Sequence, residues 1–178
     1  MTARQSVLRL IANGDRKLMR KVNKWPAPKW VRLGAIAATR AGDGWLWYLL
    51  GLAILIFGGA QRLVATAAAG SAAAVGAGVF VGLKKISGRK RPCEEEPHCW
   101  SRILPPDRFS FPSGHTITAF AVAVTLGVFY PALLGVLLFC ATAIAVSRVL
   151  LGMHFLSDVV AAALLGTGLA LTSHALFV

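Results

Sequence analysis

Acidic residues are scarce in this chain: seven Asp and Glu stand against 19 Lys and Arg, for a formal net charge of +12. Cysteine is limited to three residues, which excludes a small fold stapled by several disulfides. Internal repeats and low-complexity linkers are also missing. No apolar run long enough for the core of a cleavable leader precedes Asp15, so a signal peptide is not expected. The excess of basic charge would suit nucleic acid. The aromatic residues, however, lie within apolar runs and not among the arginines, so no nucleic-acid partner is expected.

What the chain has in quantity is apolar surface. Hydrophobic residues make up 56% of 178 positions and the mean hydropathy is +0.65, too apolar for an ordinary soluble domain. Five stretches approach the ~20 apolar residues that cross a bilayer as a helix: Trp45 to Ala60, Leu63 to Leu83, His115 to Tyr130, Ala132 to Leu151 after the break at Pro131, and Phe155 to Val178. The second is rich in Ala and Gly, and its Gly70, Ala74, Gly78 and Gly82 predict a face of small residues packed against neighbouring helices. Residues 1–40 differ: they hold ten of the 19 cations and one acid, Asp15, with Val7, Leu8, Ile11, Leu18 and Val22 recurring among the charges. That pattern predicts an amphipathic helix lying on anionic lipid. The expected architecture is all-α: a membrane-surface segment over 1–40, then a polytopic helical bundle of about five spans over 41–178.

In so apolar a chain the informative residues are the polar ones at the ends of spans. Three clusters occupy such ends: "KKISGRKRP" from Lys84 to Pro92, "PSGH" from Pro112 to His115, and "SRVLLGMHFLSD" from Ser147 to Asp158. The second span ends, and the third begins, on one face; the hairpin of the third and fourth returns the last cluster to it. Lys84, Arg91 and Arg148 then supply three cations, two of them guanidiniums suited to bidentate contact with phosphate oxygens. Backbone N–H groups at Ser113, Gly114 and His115 add donors at a helix N-terminus. Asp158, one helical turn after His154, can hold one imidazole nitrogen protonated and leave the other free to attack, while His115 protonates a leaving oxygen. Each cluster also has a structural reading. The lysines and arginines form a juxtamembrane basic run, Ser113 is an N-cap with Gly114 easing the turn, Arg148 and Asp158 form an ion pair, and Asp158 stabilises a helix start. A metal held by the two histidines is disfavoured, because three cations crowd a site with one acid.

Together the three clusters resemble the signature K-x6-RP, PSGH, SR-x5-H-x3-D of the type-2 phosphatidic acid phosphatase and vanadium haloperoxidase superfamily, and every fixed position is met between Lys84 and Asp158. The resemblance implies phosphate held by Lys84, Arg91, Ser113, Gly114 and Arg148, His154 as nucleophile, Asp158 orienting it, and His115 as general acid. It further implies a phosphohistidine route with no cofactor and vanadate as an inhibitory mimic of the transition state. The soluble haloperoxidase branch is disfavoured by the five apolar stretches, which leaves a bacterial membrane enzyme acting on a lipid phosphate. An inactive protein that only binds anionic lipid is the alternative outside enzymology.

An odd number of spans places the N-terminus and all three clusters on the same face. The positive-inside rule, applied to the ten early cations, predicts the cytoplasmic side. The resemblance points to the outer side of the inner membrane, and that is the expectation adopted. Cys93 and Cys99 could close a disulfide there; a free thiol pair, or a metal site with His98, is the competing reading. Glu94 to Glu96 read as a loop face or a head-group filter, and Trp100 with the following "ILPP" as a lid.

Overall fold

The computed structural model describes residues 3–95 and 109–178. Among these the secondary structure is helical, and an isolated antiparallel bridge joins Lys90 to Phe109. The elements are α1 (Ala3–Lys24), α2 (Lys29–Ala41), α3 (Trp45–Phe57), α4 (Arg62–Ser87), the short α5 (Pro92–Glu95), α6 (Gly114–Phe129), α7 (Leu134–Leu150) and α8 (Leu156–Phe177). Local chemistry sets several boundaries. Gly88 ends α4 in the left-handed region, and Pro131 opens a 3-10 turn that separates α6 from α7.

All five apolar stretches become helices, with different claims to being spans. The helical segments Gly59–Ser87, Pro131–Leu150 and Leu156–Phe177 are each long and apolar enough to cross a bilayer. A fourth crossing arises if α2 and α3 count as one span, broken at residues 42–44 and bent by 57°. Helix α6 has 16 residues, about 24 Å at 1.5 Å per residue, short of the hydrocarbon thickness. It is instead the central strut of an integral membrane bundle, packed against α4, α7 and α8. Ala119, Ala121 and Ala123 are buried along it because neighbouring helices come close.

Without water to drive helices together, such a bundle depends on close packing of small residues. Helix α4 supplies them, on a different face from the one expected. Gly70, Ala74, Gly78 and Gly82 are exposed, and the buried stripe is Ala65, Ala68, Ala69, Ala72 and Gly76. Small residues populate both sides of α4, so their spacing alone does not select the packed one; the partner side chains do. A Cβ on Gly76 would lie 2.8 Å from the Ile117 side chain of α6, whereas none at Gly70, Gly78 or Gly82 would meet anything within 4 Å.

Helix α1 is also divided. Val7, Leu8, Leu10 and Ile11 are exposed, but Met19 is buried with Ala145, Val149, Phe155 and Val159, and Leu18 and Val22 pack beside it. Its second half is thus docked across α7 and the start of α8.

Candidate active site

The C-terminal ends of α4 and α7 and the N-terminal ends of α6 and α8 meet on one face of the bundle. They enclose a cavity of about 360 Å³ whose lining includes Lys84, Arg91, Gly114, His115, Arg148 and His154. The structure therefore brings together five of the six charged or titratable residues singled out in the three clusters. Asp158 lies just behind that lining.

His154 sits in the turn between α7 and α8, where the Met153 and His154 N–H groups both donate to the Arg148 carbonyl, at 3.0 and 3.2 Å. Gly152, at φ 66°, makes the turn. The imidazole Nδ1 is 2.5 Å from the backbone carbonyl of Ser110. A carbonyl only accepts, so Nδ1 carries the proton and Nε2 keeps its lone pair. The Arg91 guanidinium approaches Nε2 at 3.3 Å and donates to the Met153 carbonyl at 2.8 Å. Burial, then the cations Arg148 and Arg91, hold the His154 pKa well below its ordinary 6.5. The ring is accordingly neutral at neutral pH, the form in which it is a nucleophile.

Asp158 lies beside His154 as expected, but without the expected hydrogen bond to the ring. Its carboxylate is 3.9 Å from Nδ1, too far for a hydrogen bond, and Oδ2 accepts the Phe155 N–H at 2.9 Å. The expectation placed His154 and Asp158 one turn apart on a helix. Because α8 begins at Leu156, His154 precedes it, and Asp158 is spent on the helix N-terminus. The Ser110 carbonyl holds the His154 ring by hydrogen bond, and the Asp158 carboxylate lies 3.9 Å behind it.

The cations converge from three directions. Arg91 is 1% exposed, Arg148 3% and Lys84 8%, so their charges act where water screens little. Arg148 donates to Thr39 Oγ1 of α2 at 2.5 Å, and the Lys84 ammonium lies 4.3 Å from the centre of the Phe80 ring. Ser113 is the N-cap residue of α6 by position, yet its side chain makes no cap bond; its hydroxyl accepts from Thr116 at 2.9 Å. Gly114 serves a close approach and not an unusual turn: a Cβ there would sit 3.0 Å from the Phe80 ring. The N-terminus of α6, with Gly114 and His115 on the cavity wall beside this cationic rim, suits a tetrahedral anion.

His115 has a partner that the motifs do not contain. Its Nε2 is 2.8 Å from Asp43 Oδ1, in the break between α2 and α3, and Asp43 also pairs with Arg40 at 3.4 Å. Gly42 makes the approach fit, since a Cβ there would lie 3.0 Å from the His115 ring. Sequence reasoning missed Asp43, Thr39 and Ser110. A lone acid between two glycines at a break in apolar sequence was the available signal for Asp43; a backbone carbonyl leaves none.

Cys93 is half-buried, and burial pushes its thiol up. Its proposed partner Cys99, together with His98, Glu96, Trp100 and the "ILPP" lid, lies outside the described residues.

Comparison with known proteins agrees with this frame. A solved structure titled Aquifex aeolicus LpxE superposes with a TM-score of 0.75 at 25% identity, covering 88% of this chain and 92% of that one. The Bacillus subtilis transmembrane PAP2-type phosphatidylglycerolphosphate phosphatase superposes at 0.71 and 21% identity, over 94% and 86% of the two chains. In sequence, the decaprenylphosphoryl-5-phosphoribose phosphatase of Mycolicibacterium smegmatis is 38% identical over 116 residues, 54% of this chain; the match spans 60% of that relative's length. The helical frame is thus shared with two solved membrane proteins, and a family model runs through every motif from residue 46 to 178; on that ground the chain belongs to the PAP2 superfamily.

Proposed function

We propose that this chain is a metal-independent lipid phosphatase that removes a phosphomonoester or diphosphate head group at the membrane surface. The observation that carries the reading is a neutral His154, its Nδ1 proton on the Ser110 carbonyl, at a cavity rimmed by Lys84, Arg91, Arg148 and His115. In the first step the Nε2 lone pair attacks phosphorus, the bond from phosphorus to the leaving oxygen breaks, and His115 delivers a proton to that oxygen. In the second, His115 takes a proton from water, the resulting hydroxide attacks phosphorus, and the P–N bond breaks to return His154 and release phosphate. The three buried cations and the α6 N–H groups neutralise the equatorial oxygens throughout, the work a metal does in many phosphoryl-transfer sites.

A second cavity of about 410 Å³ supports a lipid substrate. It is lined by apolar residues of α3, α4 and α6, including Trp47, Leu52, Ala73 and Val122, and shares Thr118 with the polar cavity. A phosphate in the first and a hydrocarbon chain in the second would occupy adjoining cavities. The relatives named above act, by name, on a decaprenylphosphoryl phosphoribose and on phosphatidylglycerol phosphate, which fits a lipid phosphate here. Undecaprenyl pyrophosphate, phosphatidylglycerol phosphate, phosphatidic acid and lipid A phosphates are the panel to compare. We assign the active face to the outer side of a bacterial inner membrane. Arg89, Arg91 and Arg148 are held in or behind the site, so their charge says nothing of topology, and the assignment follows the family resemblance against the ten cations of residues 1–40.

The test is phosphate release from these lipids by purified protein in detergent with EDTA. Turnover that is blocked by vanadate and lost in His154→Ala supports the reading. Turnover that survives His154→Ala overturns the mechanism, and silence on every lipid overturns the function in favour of anionic-lipid binding alone.

A further inference from the structure

Arg89 is one of the variable positions between Lys84 and Arg91, and none of the chemistry above uses it. It is nevertheless the point where three parts of the site join. Its backbone carbonyl accepts the Ser110 N–H at 2.8 Å, and the Ser110 carbonyl is the group that fixes His154. Its guanidinium donates to Asp158 Oδ1 at 2.6 Å, to Ser157 Oγ at 2.8 Å and, through the other nitrogen, to Asp15 Oδ2 at 2.7 Å. The same guanidinium stacks 4.2 Å from the centre of the Phe155 ring, the residue next to His154.

Asp15 completes the arrangement from α1. It is 5% exposed, and its carboxylate also accepts the Ser157 N–H at 3.1 Å and the Ser157 hydroxyl at 2.5 Å. A buried carboxylate with a charged partner and two further donors is a fully satisfied one, and losing the partner would leave an uncompensated charge. Both acids bond to Arg89, and Arg89 touches both the Ser110 segment and the start of α8.

We infer that Arg89, locked by Asp15, is a positioning residue for the nucleophile, so that α1 forms part of the active site although it lies outside the family match. The inference rests on His154 being the nucleophile. The Arg89 backbone carbonyl pins the segment whose Ser110 carbonyl fixes Nδ1, and the guanidinium sets where that backbone sits and holds Asp158 behind the ring; Asp15 fixes the guanidinium and ties the start of α8 to α1. Loss of either loosens the aim of Nε2 without removing any group that contacts phosphate.

The experiment uses the full chain in detergent, with Arg89→Gln, Arg89→Lys, Asp15→Asn and the double variant Asp15→Asn with Arg89→Gln. Arg89→Gln lowers kcat about tenfold or more with KM nearly unchanged, the split expected when binding is kept and alignment lost. Arg89→Lys recovers part of the rate by restoring a charged donor. Asp15→Asn has a smaller effect that disappears in the Arg89→Gln background, because Asp15 acts through Arg89. A second measurement does not depend on turnover: the ¹⁵N spectrum of histidine-labelled protein, with His154 identified by its loss in His154→Ala. Its Nδ1 resonance shifts in Arg89→Gln and stays in place in Arg62→Gln, a control at the start of α4 remote from the site. If Arg89→Gln leaves kcat per folded molecule and the Nδ1 resonance unchanged, the inference is overturned, whatever happens to thermal stability. Silence of the wild type on all lipid phosphates would count against the phosphatase reading alone, and the resonance would still decide the positioning claim.

Discussion

Two regions of this molecule contribute different things to one cavity. The bundle from residue 46 onward, the part matched by the family, brings Lys84, Arg91, His115, Arg148 and His154 together at the ends of four helices. The first 45 residues supply none of these groups, yet a side chain from that region holds a member of each cluster. Asp15 holds Arg89, Thr39 holds Arg148, and Asp43 holds His115. On the proposed mechanism, chemistry and aim are separated along the chain. Groups that touch a reacting phosphate must have fixed types at fixed spacings, while any short polar side chain on a docked helix can fix their orientation.

The comparison breaks most severely if residues of the bundle prove dispensable. Arg148→Ala, which removes a buried donor from the cavity, should lower kcat about a hundredfold or more. Retention of most activity, measured as phosphate release per folded molecule, would show that the cationic rim is structural. Asp43→Asn comes next: the ring of His115 loses the carboxylate that pairs with its protonated form, and kcat should fall about tenfold with KM little changed. Thr39→Val removes one hydrogen bond to a charged group, worth about 1.5 kcal/mol or roughly tenfold, and the loss should be smaller than for Arg148→Ala. The exposed pair of Arg40 with Asp43 marks the low end, and Arg40→Gln should change the rate by less than about twofold.

A separate signature appears in stability. The folded pKa of His154 is depressed below 6.5, so the unfolded chain takes up this proton first as pH falls. His154 therefore favours the folded state fully above pH 6.5, and that contribution is lost as the pH falls from there toward the folded pKa. Thermal denaturation in detergent between about pH 7.5 and 5.5 should show a steeper acid-side loss for the wild type than for His154→Gln. Equal slopes would mean that the imidazole is not held neutral.

The same division explains what was readable before the fold was known. Apolar runs and three motifs placed the helices and the cavity, because burial in lipid and contact with an anion both constrain residue type. Register on α4 was not readable, since small residues recur on both of its faces and only Ile117 and its neighbours select the stripe through Gly76. The Ser110 carbonyl was invisible in principle, because every residue has one. The bond from Asp158 to His154 was misread for a local reason: spacing of four implies a shared helical face only when both residues are helical, and α8 starts after His154. Asp15 and Arg89 were visible only as a solitary acid and one more cation in a basic run.

The most direct test of the account is to trap the enzyme-bound phosphoryl group. Protein quenched in base during turnover of a ³²P-phosphatidic acid should carry label in a form stable to base and labile to acid, as expected for phosphohistidine. His154→Ala should abolish the label. Label that persists without His154, or acid-stable label on another residue, would contradict the central claim that the bundle presents His154 as the nucleophile.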